Sequence, residues 1–378
     1  MRVIFTCGGT AGHVNPALAL AGLIRQRRPD SEILFVGAHR GIERALIEEA
    51  GWPFRAVEIS SFHRSLKPGE IRHNLISLRN LIRSPGEARA LLREFPADLV
   101  VGTGGYASYP VIRAAAKAGI PTAIHESNAI PGLTTRLLEP YADLIMVGFE
   151  ECRKNYRHPE KVLVTGTPVR GDFFTYTKQE AKRKLGVDDS RPLIVSFWGS
   201  LGAAAMNRQT AELLALEARA GCPFHHIHAA GVVGSRQMAE QLAAAGVDLA
   251  KTPGLEVREY IHNMGTVMRS ADLVICRAGA STISELTALG VPAIIVPSPN
   301  VTHNHQEYNA RVLADAGGAV LILEKDSSGQ RLYAAARNIL SDDNRRRAMS
   351  AAMASLGTID AAEKIYEAVM SLRRRGGK

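Results

Sequence analysis

Four segments of the sequence are built to approach an anion. They are Gly8-Gly9-Thr10-Ala11-Gly12-His13, Gly102-Thr103-Gly104-Gly105-Tyr106, Trp198-Gly199-Ser200-Leu201-Gly202-Ala203, and the small-residue run from Arg277 through Ala280-Ser281-Thr282-Ile283-Ser284 to Glu285. Each follows a β-rich stretch and leads into a helical one. Backbone N–H groups at such a strand-to-helix turn, with a helix dipole behind them, favour a phosphate. Any one of these segments reads equally well as a tight turn; their repetition at equivalent positions points to a phosphate-bearing ligand. None is a P-loop or a G-x-G-x-x-G fingerprint, and the second strand ends at Val36-Gly37 without the acidic residue that would hold an NAD ribose. Glu285, one turn into its helix, suits the vicinal hydroxyls of a ribose, although Ser281 to Glu285 also reads as an ordinary helix start. Asn15-Pro16 reads as the N-cap and first-turn proline of the helix behind the first loop.

The elements that must position these residues alternate regularly. Strands are expected at Arg2–Thr6, Ile33–Val36, Leu99–Val101, Thr122–Ile124 and Leu144–Val147, then at Leu193–Phe197, Phe224–Ala229, Leu273–Cys276 and Ala293–Val296, with helices between them. This pattern builds an α/β fold of parallel sheets covered by helices. It restarts after Gly166-Thr167-Pro168-Val169-Arg170, where Gln179 to Gly186 reads as a surface helix. At 378 residues the chain is long enough for two domains. We expect one at 1–166, a second at 167–341, and a helical segment at 342–378 packing back toward the first, with a break at Gly357. Two doubly wound, Rossmann-like domains would offer ligands the carboxyl ends of both sheets, facing a deep cleft.

Bulk composition excludes several classes. Four cysteines without C-x-x-C spacing (Cys7, Cys152, Cys222, Cys276) fit reduced thiols rather than a zinc site or a disulfide framework. Residues 1–7 run straight into the glycine loop, so no secretion signal is expected there. No apolar stretch approaches the roughly 20 residues of a membrane-spanning helix. A net charge of +9 favours anionic partners without choosing among phosphates, nucleic acid and acidic lipid, and no recognised nucleic-acid module is present. His225, His226 and His228 invite a metal reading, but alternation on a strand without nearby acidic residues argues against it, and no metal or other cofactor is expected.

Taken together, the four segments, His125-Glu126-Ser127-Asn128, Gly166-Thr167-Pro168-Val169-Arg170 and His305-Gln306-Glu307-Tyr308-Asn309-Ala310 resemble the MurG family in order and spacing, over nearly the whole chain. The resemblance implies a GT-B type glycosyltransferase. Such enzymes carry N-acetylglucosamine from UDP-N-acetylglucosamine to undecaprenyl-pyrophosphoryl-muramyl-pentapeptide (lipid I), giving lipid II for peptidoglycan, at the cytoplasmic face of the membrane. It further implies roles for individual positions. Thr10, Ala11 and Gly12 would face the donor sugar and the acceptor diphosphate, with Gly9, Gly104, Gly105 and Tyr106 also on the acceptor side. Asn128 would bond sugar hydroxyls, and Arg170 and Ser200 would lie near the nucleotide and its phosphates. The Ile261 backbone would read the uracil edge. Ala280, Ser281, Thr282, Ile283 and Ser284 would receive the diphosphate, with Glu285 on the ribose and Gln306 on the N-acetylglucosamine. Ala11, Trp198 and Leu201 depart from residues common in the family, without removing a group assigned to chemistry.

Under that resemblance the reaction is a single, inverting displacement by the acceptor 4-hydroxyl. It needs a base and a sink for charge on departing UDP. Helix N-termini with Arg170 would serve as the sink without a metal. His13 is the first candidate base, since an imidazole titrates near neutral pH, and Glu126 is the second. Seven basic residues among Ile71, Leu75, Ile76, Leu78, Leu81 and Ile82 in the stretch Phe62 to Arg93 suit an interfacial helix over anionic lipid, and equally a core-packing amphipathic helix. Another UDP-sugar enzyme, such as a glycolipid synthase or an epimerase, and a noncatalytic nucleotide-sugar sensor are the alternatives. Other cell-wall synthesis and division proteins are further expected partners.

Overall fold

The computed structural model describes residues 1–39, 41–59, 84–187, 189–199, 202–232, 234–301 and 304–376. They form two compact units, Met1–Val169 with Thr358–Lys378, and Arg170–Gly357. Most of the basic stretch Phe62 to Arg93, Ser200 and Leu201 lie outside the described residues.

The first unit runs β1 (Arg2–Cys7), α1 (Ala11–Arg27), β2 (Glu32–Ala38), α2 (Glu43–Glu49), β3 (Phe54–Val57), α3 (residues 84–94), β4 (Leu99–Gly104), α4 (Ser108–Lys117), β5 (Thr122–Glu126), α5 (Leu133–Leu138), β6 (Leu144–Val147) and β7 (Val162–Val164). Its strands pair in parallel in the order β3-β2-β1-β4-β5-β6-β7. Central strands read as continuous apolar runs because both faces are covered: Val3, Ile4 and Phe5 are wholly buried, and Phe5 stacks on Phe35 of the neighbouring strand at 5.3 Å. On α1, Val14, Ala17, Leu20, Ala21 and Ile24 recur at helical spacing and face the sheet.

The second unit runs α6 (Lys178–Leu185), β8 (Leu193–Phe197), α7 (Ala204–Arg219), β9 (His225–Ala229), α8 (Ser235–Ala244), β10 (Leu255–Arg258), α9 (Met264–Ser270), β11 (Leu273–Cys276), α10 (Ala280–Leu289), β12 (Ala293–Ile295), α11 (His305–Asp315), β13 (Ala319–Leu321), α12 (Gly329–Leu340) and α13 (Asp343–Leu356). The parallel order is β10-β9-β8-β11-β12-β13. Helix α6 has local reasons to start and stop where it does. Thr177 and Glu180 form a reciprocal capping box, and Gly186 closes the helix in the left-handed region at φ +67°. Lys178 and Lys182 then pin it to the buried Asp272 at 2.8 and 2.6 Å.

The stretch 342–378 divides at Gly357. Helix α13 packs on α10 of the second unit, whereas α14 (Ala361–Gly376) lies on α1 of the first and places Ile365, Val369 and Met370 in the same core as Leu20 and Ile24. An ion pair at 2.6 Å, Arg27 to Glu363, borders that contact. By compactness the boundary between the units falls between Val169 and Arg170.

Two differences from the sequence reading bear on the site. Helix α1 starts at Ala11, with Pro16 inside it, so Ala11, Gly12 and His13 form its first turn rather than a loop preceding it. Thr10 accepts the His13 and Val14 N–H groups at 3.1 and 3.3 Å, closing a tight first turn. Strand β4 continues through Gly102 and Thr103 to Gly104, because Thr6 and Cys7 of β1 still pair alongside it across a register shift.

Candidate active site

In each sheet the chain reverses its winding direction once. The switch lies between β1 and β4 in the first unit and between β8 and β11 in the second. Open α/β sheets bind ligands outside the carboxyl ends of the strands at such points. The described parts of the four small-residue segments lie at these ends: Gly8-Gly9 after β1, Gly102 to Tyr106 at the end of β4, Trp198-Gly199 after β8, and the run from Arg277 after β11.

In the first unit the two glycine segments are packed on one another. A Cβ on Gly105, which has φ +86°, would meet the Gly8 carbonyl carbon at 2.7 Å, and one on Gly104, at φ +112°, would meet Nε2 of His13 at 2.9 Å. Glycine at both positions is therefore what lets the imidazole and the first loop lie against the second. Thr103 Oγ1 donates to the His13 carbonyl at 2.6 Å and fastens the two further. His13 Nδ1 lies 2.7 Å from the Gly8 carbonyl oxygen. A carbonyl only accepts, so the contact assigns a proton to Nδ1, and in the corresponding neutral tautomer Nε2 is the nitrogen left to accept. Ala11 and Gly12 lie in the first turn of α1, where N–H groups have no acceptor within the helix and the dipole favours negative charge. Tyr106 is exposed beside it.

Glu126 ends β5, the next strand along, and is buried. Its Oε1 accepts the Asn128 N–H at 3.0 Å and Nδ2 at 2.9 Å; its Oε2 accepts the Gly132 N–H and Thr135 Oγ1, each at 2.8 Å. A carboxylate that accepts from four donors along one segment holds that loop in place. What it holds is Asn128. His125, on the same strand, donates Nε2–H to the Gly166 carbonyl at 2.9 Å, and burial lowers its pKa, keeping it neutral.

In the second unit, α10 begins at Ala280 behind Gly279, so Ala280 to Ser284 form its first turn and Glu285 follows. Ser281 Oγ is enclosed and has no hydrogen-bond partner among the described residues. Glu285 as a residue is partly covered, yet its carboxyl is enclosed; burial pushes it up to about 8, opposed by the charge of Arg170 and reinforced by Asp172. Arg170 pairs with Asp172 at 3.1 Å and lies over the Phe173 ring. Gln306, in the first turn of α11, accepts the Ser298 N–H at 2.8 Å, and Asn309 Nδ2 donates to the Ala278 carbonyl at 3.1 Å, tying α11 to the segment after β11. Ile261, just past β10, is buried, with Tyr260 exposed beside it. Trp198 packs under its loop: its indole is buried, donates to Thr210 Oγ1 at 2.9 Å and carries the Arg277 guanidinium 5.7 Å from its ring centre.

Residues 3–147 match the N-terminal domain model of glycosyltransferase family 28, and residues 193–365 match its C-terminal domain model. The chain is 41% identical over 378 residues, all of both chains, to the UDP-N-acetylglucosamine--N-acetylmuramyl-(pentapeptide) pyrophosphoryl-undecaprenol N-acetylglucosamine transferase of Desulforudis audaxviator. It is 39% identical to the protein of the same name from Acetivibrio thermocellus, covering 99% of each. The crystal structure of Acinetobacter baumannii MurG superposes with a TM-score of 0.76 at 25% identity, over 98% of this chain and 99% of that one.

The chain belongs to the MurG family.

Membership makes it a GT-B glycosyltransferase, with two parallel-sheet α/β domains. A UDP-N-acetylglucosamine 2-epimerase from Neisseria meningitidis also superposes, with a TM-score of 0.64 at 16% identity, and shares the fold. One carboxylate of this MurG-family site had no signal in the sequence: Glu43, wholly buried at the start of α2, with its oxygens on the N–H groups of Gly9 and Ala38. Only the fold brings it beneath the first glycine loop, 34 residues away in sequence.

Proposed function

We propose that the protein transfers N-acetylglucosamine from UDP-N-acetylglucosamine to the 4-hydroxyl of the muramyl sugar of lipid I, forming lipid II with inversion at the anomeric carbon. End-to-end identity with relatives of that name supports the reaction class. The observation that carries the mechanism is the His13 ring, whose Nδ1–H is spent on the Gly8 carbonyl so that Nε2 stands as acceptor over Gly104.

In this reading the second unit binds the donor. The α10 N-terminus with Ser281 takes the diphosphate, Glu285 the ribose, the Ile261 backbone the uracil and Gln306 the N-acetyl sugar. Arg170 adds positive charge near the leaving UDP. Preorganised N–H groups and one guanidinium then stabilise the departing diphosphate without a metal ion. The first unit binds the acceptor diphosphate at the α1 N-terminus and the Gly104-Gly105-Tyr106 turn. His13 removes the 4-hydroxyl proton as the oxygen attacks, and Glu126 orients Asn128 toward the sugar.

The acceptor is a lipid, and we place the enzyme peripherally on the cytoplasmic face of the membrane. Among the described residues no helix is long and apolar enough to cross a bilayer. Helix α5 supports the interfacial reading: Leu133 and Leu137, one turn apart, are each about half exposed, at 52% and 51%, with exposed Arg136 between them.

The test is incubation with UDP-N-acetylglucosamine and a short-chain analogue of the lipid-linked muramyl-pentapeptide in the presence of EDTA, measuring UDP and disaccharide together. Acceptor-dependent formation of both is expected. UDP release without disaccharide would indicate hydrolysis or epimerisation, and saturable donor binding without turnover would indicate a sensor.

A further inference from the structure

The Glu43 carboxylate lies in a cradle of absent side chains. A Cβ on Gly8 would come within 2.7 Å of its Oε1, and one on Gly37 within 2.8 Å of its Cγ; Gly41 closes on the carboxyl group more tightly still. Into this space the side chain delivers two hydrogen bonds that belong to neither its own helix nor solvent: Gly9 N–H to Oε2 at 3.1 Å and Ala38 N–H to Oε1 at 3.0 Å. Gly9 ends the turn after β1, with φ +84°, and Ala38 ends β2. The carboxylate therefore clamps the ends of two neighbouring strands just before α1 begins.

We propose that Glu43 is a positioning residue for the acceptor: by holding the Gly9 N–H inward it sets the path of the Gly8–Gly9 turn, and leaves the diphosphate to the first-turn N–H groups of Ala11 and Gly12. This rests on the acceptor reading above and narrows it, since the Gly9 amide drops out of the ligand set. The clamp also fixes the His13 ring, because Nδ1 takes its orientation from the carbonyl of Gly8, the residue next to the clamped amide.

Charge and geometry make opposite demands here, which gives the proposal a test with a sign. A buried carboxylate near a diphosphate repels it, so if charge were its only influence, Glu43→Gln would tighten acceptor binding. If the clamp matters, the same change weakens it. The glutamine fits the cradle but has one acceptor oxygen, and its NH2 opposes a backbone N–H instead of receiving it.

Three quantities are measured on the full-length protein and on Glu43→Gln: kcat and KM for the short-chain lipid-linked acceptor, affinity for UDP-N-acetylglucosamine, and amide hydrogen exchange at Gly9 and Ala38. The expected result is a drop in kcat/KM for the acceptor of about tenfold to a hundredfold, the loss of one charge-assisted buried hydrogen bond. Donor affinity stays within about twofold, since the donor lies on the other unit. Exchange at Gly9 and Ala38 accelerates. Unchanged or improved acceptor kinetics in a folded Glu43→Gln protein overturn the proposal, as does an equal loss of donor affinity. If Glu43→Gln does not fold, Glu43→Asp carries the test: it keeps the charge but is too short to reach both amides, and the same acceptor-selective loss is expected. Should the unaltered protein make no disaccharide at all, the transferase reading fails, and the exchange rates still decide whether the clamp exists.

Discussion

If the ribose binds Glu285 as proposed, donor binding should release a proton. Its carboxyl is pushed from the ordinary 4.5 up to about 8, by burial first, with Arg170 pulling it down and Asp172 raising it. Below pH 8 the free protein therefore holds a proton on Glu285. A ribose diol that donates two hydrogen bonds to this group favours the acceptor-only carboxylate, so binding should release that proton. The competent fraction falls about tenfold for each pH unit below 8, and the apparent affinity falls with it, a penalty of about 1.4 kcal/mol at pH 7. Affinity thus rises with pH up to about 8 and then levels off. Folding stability runs in the opposite direction: the folded state binds the extra proton, so this group's contribution is fully present below about 4.5 and declines as pH rises through 8.

The measurement is titration calorimetry with UDP-N-acetylglucosamine, whose doubly esterified diphosphate does not itself titrate in this range. Runs between pH 6 and 9, in buffers of different ionisation enthalpy, count the protons released. Close to one proton is expected near pH 6.5 and close to none at pH 9. Glu285→Gln should flatten the profile and bind about tenfold to a hundredfold more weakly than the parent at pH 8.5, where the parent's charged acceptor is available. Near pH 6 the two proteins should converge. A pH-independent parent, or a Glu285→Gln protein that retains the parent's slope, would refute the reasoning. Arg170→Ala should move the plateau to higher pH, because the charge that opposes the shift is gone.

Other perturbations separate the two units. His13→Gln should lower kcat by about a hundredfold to ten-thousandfold, the range for a lost general base, and leave donor affinity intact in calorimetry. Gly105→Ala places a Cβ on the Gly8 carbonyl at a positive φ, and a loss of about 1–3 kcal/mol in denaturant unfolding is expected, with acceptor turnover failing first. His228 is buried and its pKa is pushed down to about 3 by burial and by the neighbouring His226, so the unfolded chain takes a proton that the folded unit refuses. Stability of the second unit should fall as pH drops from 6.5 toward 3, and His228→Asn should shallow that dependence in acid titrations followed by circular dichroism. Replacing Leu133 and Leu137 together by Glu should reduce sedimentation with anionic vesicles by at least about tenfold while sparing turnover of a short-chain acceptor, since each leucine buried at an interface contributes on the order of 1 kcal/mol.

The sequence was most readable where the fold is most buried. Strands β1, β4, β5, β6, β8, β11 and β12 each carry a buried apolar run, and each lies within a residue or a few of where the sequence pattern puts it. Strands β3, β7, β10 and β13 went unread. They are three or four residues long, all four end their sheets, and Phe54-Arg55-Ala56-Val57 and Leu255-Glu256-Val257-Arg258 mix charge into the run. Their pairing comes from the strand beside them, which no local window contains. Pro16 misled for a related reason. Proline favours the first turn locally, but here Thr10 already closes a tighter turn ahead of it, and the helix begins five residues before the proline.

The site divides along the same line. Glycine segments are legible because a missing side chain is itself the signal, and their reach toward a phosphate needs only the strand before and the helix after. What each glycine accommodates is not local. Gly8 makes room for the carboxylate of Glu43, whose bond to the next residue spans 34 positions, and Gly104 makes room for the ring of His13. The same holds for roles. His13 was the first candidate base and Glu126 the second, each a titratable side chain near the carboxyl end of a strand. Their surroundings differ: four donors converge on Glu126, while Nδ1 of His13 faces the Gly8 carbonyl, and that contrast is what the proposed roles rest on. Residue type sets which proton transfers are possible, and long-range hydrogen bonding decides which of them the folded chain is arranged to perform.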